Sequence, residues 1–282
     1  MTVEKIFRKY FLELDRLDLE LIVSDAIGTS REFVLAHPEF TITKNQNKKI
    51  DCSIKRRLKN EPLAYILSRK EFYGLSFKVD ENTLIPRPET EFLVENIIKS
   101  KPKSRIIIDV GTGSGNIIIS LAKNIKEKNK FYAIDVSAKT LRVAKYNAKK
   151  NKVDKKINFI KSDLLNFFIS SAKYKIRDAI IVANLPYLSK EIYSKTQPNV
   201  KNFEPKSALY APQEGLYYYK KLFQQIKFLI DKHSAIRVSC YIEISPEQKP
   251  KIFNLIREYF PKSLIKFQKD LAGKWRRVKI EI

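Results

Sequence analysis

Three apolar runs, each ending in residues suited to one part of a nucleoside, constrain this chain more than any other feature. Arg105-Ile-Ile-Ile-Asp-Val110 leads directly into Gly111-Thr-Gly-Ser-Gly115 and then into the apolar stretch from Ile117 to Ala122. That order predicts a buried strand, a tight turn and a helix. Glycines let the backbone approach a ligand closely, and the helix start behind them offers N–H groups to a carboxylate. A dinucleotide fingerprint needs glycine three places after Gly113, where Asn116 stands. No lysine follows the turn as a phosphate-binding P-loop requires. The second run, Phe131-Tyr-Ala-Ile134, ends in Asp135, a carboxylate able to take both hydroxyls of a ribose. The third, Ile157-Asn-Phe-Ile160, leads to Ser162-Asp163-Leu164, placed to bond an adenine amino group and cover its ring.

A fourth run carries different chemistry. Asp178-Ala-Ile-Ile-Val-Ala183 reads as a buried strand and ends in Asn184-Leu-Pro-Tyr187. Open α/β sheets bind ligands at such strand ends. Pro186 fixes its own φ and biases Leu185 toward extended backbone. The expectation is that the Asn184 side-chain oxygen, the Leu185 carbonyl and the Tyr187 ring surround one planar NH2 group.

Composition limits the alternatives. At 282 residues and 44% apolar, the chain has room for one large and one small domain. It has no apolar run long enough for a membrane span and no signal-peptide stretch after Met1, so a cytoplasmic protein is expected. Cys52, Cys240, His37 and His233 show neither metal-ligand spacing nor a catalytic triad, so no metal is expected. Residues 1–80 carry 15 basic against 12 acidic side chains, so most of the +24 net charge lies in the rest, densest at Lys149-Lys-Asn-Lys-Val-Asp-Lys-Lys156. This is either a solvated lysine-rich face or a weak contact with nucleic acid or a ribosome-associated partner.

Residues 1–70 show helical periodicity, with Gly28 as a stop, Ser30 as a cap, Pro38 as a terminator and the polar stretch Thr43 to Lys49 as a separator. They read as a helical bundle for recognition. Residues 71–87 form a hairpin and linker, with Gly74 at the turn and Arg87 held between Pro86 and Pro88. Residues 88–282 form the main α/β domain. Within it, Lys190 to Pro212 reads as a long loop of lid or binding type, followed by a helix from Glu214 to Ile230, a strand from Ala235 to Glu243, a helix from Pro246 to Tyr259 and two closing strands.

These stretches resemble a known group. Asp109-Val-Gly-Thr-Gly-Ser-Gly115, Asp135, Asp163 and Asn184-Leu-Pro-Tyr187, in that order, resemble S-adenosylmethionine (SAM)-dependent methyltransferases with a seven-stranded, Rossmann-like α/β fold. Ile85-Pro-Arg-Pro-Glu-Thr-Glu91, Phe203-Glu-Pro-Lys-Ser-Ala-Leu209, Ile242-Glu-Ile244 and Lys269-Asp-Leu-Ala-Gly273 are similar to the HemK/PrmC family of protein-(glutamine-N5) methyltransferases. The resemblance implies methylation of the glutamine in the Gly-Gly-Gln motif of peptide chain release factors, with S-adenosylhomocysteine as product. It implies that Gly111, Thr112, Gly113, Ser114, Gly115, Asp135, Asp163, Leu164 and Asn184 bind SAM, and that Asn184, Leu185, Pro186 and Tyr187 hold the glutamine in a monomeric enzyme. The family has proline where Leu185 stands, and leucine restores an N–H. Asn-Leu-Pro-Tyr also resembles ribosomal RNA adenine dimethyltransferases, so an N6-adenine methyltransferase on RNA or DNA is the alternative. A non-catalytic SAM-binding adaptor is the third reading.

Overall fold

The computed structural model describes every residue except 104, 172–177 and 233–236, so His233 and the expected strand start at Ala235 lie outside the described residues. The chain divides into two compact units, one of Met1–Arg69 with Gln197–Phe203, the other of Lys70–Thr196 with Glu204–Ile282.

The first unit is helical: Val3–Tyr10 (α1), Arg16–Ile27 (α2), Arg31–Ala36 (α3), Lys44–Leu58 (α4) and Leu63–Ile66 (α5). Side chains of Thr2, Asp15, Ser30 and Thr43 accept the first free N–H groups of α1 to α4, and Gly28 ends α2 at φ 76°. Thr43 to Lys49 is not a separator. Thr43 and Gln46 cap each other reciprocally, and the polar residues form the first turns of α4. Ile6, Leu19, Ile22, Ile50 and Ile54 fill the core.

A hairpin follows, Arg69–Phe72 (β1) and Leu75–Lys78 (β2), which from Lys70 onward belongs to the second unit. Tyr73 and Gly74 both take positive φ at its turn, the pattern whose twist matches paired strands. A seven-stranded sheet follows: Ile106–Val110 (β3), Lys130–Asp135 (β4), Ile157–Lys161 (β5), Asp178–Ala183 (β6), Arg237–Glu243 (β7), Leu264–Lys269 (β8) and Trp275–Glu281 (β9), in the order β5-β4-β3-β6-β7-β9-β8. β3 to β7 are parallel, and β9 runs antiparallel between β7 and β8. After β3 the chain builds outward to β5, then returns to lay β6 on the other side of β3. The carboxyl ends of β3 and β6 therefore flank the crevice at the switch in strand order.

Helices Glu91–Lys99 (α6), Asn116–Asn124 (α7), Ala138–Lys150 (α8), Asn166–Ser170 (α9), Lys190–Ser194 (α10), Pro198–Phe203 (α11), Tyr217–Lys232 (α12) and Lys249–Tyr259 (α13) complete the chain. The central strands are near-continuous aliphatic runs because both sheet faces are covered: Ile108 packs in one apolar cluster and Ile107 in the other. Two expectations change here. Lys190 to Pro212 is not a bare loop, since Ser189 caps α10 and α11 and a 3-10 turn at Lys206–Ala208 follow. The helix expected from Glu214 starts at Tyr217, because Gln213, Glu214 and Gly215 all sit at positive φ and cannot continue a right-handed helix.

Candidate active site

The glycine turn joins β3 to α7. Gly111 and Thr112 donate their N–H groups to the Ile134 carbonyl at 2.9 and 2.8 Å, which fixes the turn against the end of β4. Gly111 has φ 73°, so the backbone favours glycine there, and a Cβ would lie 2.9 Å from Leu185 Cδ2, a side-chain end that would have to shift. Beneath the turn, the fully buried Asp109 accepts from the Thr112 hydroxyl at 2.6 Å, and burial pushes its pKa up to about 7. Asn147 of α8 donates to the Ser114 carbonyl and exchanges hydrogen bonds with Lys78, clamping the turn to β2.

Asp135 closes β4. One of its oxygens accepts from the Gly113 N–H at 3.2 Å and the other from the Ser137 N–H at 2.9 Å. Burial raises its pKa, and the backbone donors oppose that shift. Each oxygen keeps acceptor capacity, which suits the two hydroxyls of a sugar diol. Asp163 follows β5, and its carboxylate is hydrogen-bonded to Lys221 Nζ of α12. Leu164, at φ 50° and mostly buried, lies beside it.

Asn184 follows β6. Its amide nitrogen donates to Thr90 Oγ1 at 3.1 Å, and the Thr90 hydroxyl donates to Glu243 Oε2 at 2.7 Å. The Tyr187 hydroxyl donates to the other Glu243 oxygen at 3.2 Å. Tyr219 donates its hydroxyl to the Glu243 backbone carbonyl, and the Leu185 N–H, absent from a proline, faces that same hydroxyl. The Tyr187 carbonyl accepts from Gln248 Nε2 at 3.0 Å, and a Cβ on Gly215 would fall 2.0 Å from that carbonyl oxygen. Burial raises the pKa of Glu243, with the Thr90 and Tyr187 hydroxyls and Arg276 opposing it. Nearby, Arg87 donates to Glu204 at 2.5 Å, and the Ile85 N–H donates to the other Glu204 oxygen at 3.1 Å.

One cavity of about 520 Å³ joins these parts. Gly111 to Ser114, Asp135, Asp163 and Leu164 line one side of it; Thr90, Asn184, Leu185 and Pro186 line the other. Gly115, the N-cap of α7, and Tyr187, directed to Glu243, are not among the described lining residues. Sequence reasoning did not name Lys221, Glu243 or Thr90 as site residues. The available signal was a carboxylate flanked by isoleucines in an otherwise apolar strand, Ile242-Glu243-Ile244. The donor set fits a nucleoside carrying a small polar tail: a diol acceptor at Asp135, an open glycine turn and apolar cover from Leu164. Among the described residues, no cluster of three metal-ligating side chains is present, and no helix is long and apolar enough to cross a membrane.

Comparison with known proteins agrees with this geometry. Residues 3–67 match the PrmC N-terminal domain model, and residues 101–235 match a methyltransferase domain model. A release factor glutamine methyltransferase of Dictyoglomus turgidum is 35% identical over 271 residues, covering 94% of this chain and 90% of the relative. Another from Clostridium botulinum is 30% identical over 276 residues, covering 97% and 94%. Among solved structures, the human METTL16 N-terminal domain in complex with SAH superposes with a TM-score of 0.51 at 18% identity, covering 80% of this chain and 82% of that one; this similarity concerns the fold.

Proposed function

Since the chain belongs to the release factor glutamine methyltransferase family, we propose that it transfers a methyl group from SAM to the side-chain N5 of the glutamine in the Gly-Gly-Gln motif of peptide chain release factors. The observation that carries this reading is the orientation of Asn184. Its NH2 is committed to Thr90, which leaves its oxygen as an acceptor on the cavity shared with the glycine turn and Asp135.

Bound SAM supplies an electrophilic methyl group already activated by its sulfonium. The protein has then to hold the acceptor in line and keep water out. An amide nitrogen is a poor nucleophile because its lone pair is delocalised. Asn184 Oδ1 and the Leu185 carbonyl would accept its two hydrogens, fixing its plane and increasing electron density on nitrogen. Tyr187 stiffens this strand end through Glu243, and Leu185 and Pro186 give the cavity an apolar wall. Asp135 would accept the ribose hydroxyls, the glycine turn would face the amino-acid tail, and Asp163 with Leu164 would meet the adenine. The alkylated amide is strongly acidic and loses its proton to solvent, so no histidine is needed.

The helical unit is assigned the docking of the release factor, on the strength of its family match and its lack of any chemical motif. The enzyme is proposed to act as a cytoplasmic monomer, with exposed lysines such as Lys149, Lys150 and Lys152 giving weak contact to nucleic acid or a ribosome. An N6-adenine methyltransferase is not favoured, because the similar curated relatives carry the glutamine activity in their names. Incubation with methyl-labelled SAM and either a release factor or ribosomal RNA tests the assignment. Label is expected in the factor and lost when its Gly-Gly-Gln glutamine is replaced by alanine. Label in RNA would overturn it.

A further inference from the structure

We infer that Thr90 and Glu243 are positioning residues that set which way round the Asn184 amide lies. This inference rests on the reading of Asn184 as the group that accepts from the substrate NH2. An asparagine amide can rotate by 180° with little change in shape, and the two orientations present opposite chemistry to the cavity. Only the orientation with oxygen inward can accept from a substrate amine.

The choice follows from counting protons. Glu243 accepts on both oxygens, from Tyr187 on Oε1 at 3.2 Å and from Thr90 on Oε2 at 2.7 Å, so the Thr90 hydroxyl spends its single proton on the carboxylate. The Thr90 oxygen is then only an acceptor toward Asn184, and the 3.1 Å contact is satisfied only when Asn184 presents its NH2. The flipped amide would face oxygen against oxygen inside a site where Thr90 is 1% and Glu243 2% exposed. An unmade hydrogen bond there disfavours the flip by about 10- to 100-fold. The same carboxylate holds Tyr187 through its other oxygen, so one buried side chain registers both ends of Asn184-Leu-Pro-Tyr187. Helix capping does not compete for the Thr90 hydroxyl, since Thr90 precedes α6 but makes no side-chain cap to it.

The test compares the wild-type protein, Thr90→Val, which keeps the shape without the hydroxyl, and Thr90→Ser, which restores it. With a release factor as substrate, Thr90→Val should lower kcat by about 30-fold with KM changed less than about threefold, and Thr90→Ser should return kcat to within about threefold of wild type. A Thr90→Val enzyme with wild-type kcat, or a loss that serine fails to repair, overturns the inference. A second readout needs no substrate: the Asn184 side-chain NH2 signal, assigned by its disappearance in Asn184→Asp. Its exchange with water should accelerate at least about tenfold in Thr90→Val and remain slow in Thr90→Ser. If wild-type protein labels no release factor, the substrate assignment fails and this signal still decides the relay. Equally slow exchange in wild type and Thr90→Val would overturn it.

Discussion

The two halves of the cavity are built in different ways. On the side of β3, β4 and β5, two carboxylates each have a near-neighbour partner, Thr112 three residues from Asp109 and Ser137 two from Asp135, although Gly113 to Asp135 covers 22 residues and Lys221 to Asp163 covers 58. On the side of β6 and β7, each essential contact spans the chain: Thr90 to Asn184 covers 94 residues, Thr90 to Glu243 covers 153, and Tyr187 to Glu243 covers 56. The half that draws partly on short motifs is the one proposed above to bind SAM. The other half exists only after folding brings distant side chains together, and it is the one proposed above to orient the acceptor. Substitutions on the first side should therefore alter affinity, and those on the second should alter turnover.

The sharpest way to break this contrast is Asn184→Ala. It should reduce kcat by about 1,000-fold, the scale seen for loss of a preorganised catalytic hydrogen bond, while SAM affinity measured by calorimetry stays within about twofold. Asp135→Ala should do the opposite, weakening SAM about 10- to 100-fold through loss of charge-assisted bonds; unchanged affinity would remove the ribose assignment. Arg87→Ala leaves the Glu204 carboxylate buried with the Ile85 N–H as its remaining partner among the described residues, and should cost about 1–2 kcal/mol in denaturant melts, the partial exposure of Arg87 keeping the loss below that of a fully buried pair. Asp109 tests the local half through pH. Its pKa is raised to about 7, so the native state keeps a proton that the unfolded chain has lost. That contribution is complete below the ordinary carboxylate range and is lost as pH rises through about 7, with a slope of at most about 1.4 kcal/mol per pH unit. Asp109→Asn should flatten that part of the stability profile, and an unchanged profile would refute the assignment. The smallest effect is expected from Leu185→Pro: the N–H facing Tyr219 is lost and the backbone is stiffened, with kcat changing by less than about threefold.

The same contrast explains what was legible in the sequence. Aliphatic runs ending in Gly111, Asp135, Asp163 and Asn184 revealed four strands and where each ends, because strand burial and turn chemistry are local properties. The Tyr73-Gly74 turn and the Gly28 stop were readable for the same reason. Glu243 was visible only as an acid among isoleucines, and nothing in its neighbours pointed to a threonine 153 positions away. Lys221 touches Asp163 in space but lies 58 residues away in sequence, on a helix that carries several other lysines. The segment after Ser189 lacked a clear period because its helices are only five and six residues long, too short to display an amphipathic repeat.

The helical unit also borrows Gln197–Phe203 from the middle of the methyltransferase half of the chain, with Glu204 resuming the larger unit immediately afterwards. The backbone thus passes between the two bodies three times, so a protease cutting once between Arg69 and Lys70 would not release a complete small unit. A truncated protein starting at Lys70 would carry a seven-residue orphan directly joined to the anchor of Arg87. Dissecting this enzyme into its helical and methyltransferase units therefore calls for replacement of that excursion as well as removal of the amino-terminal helices.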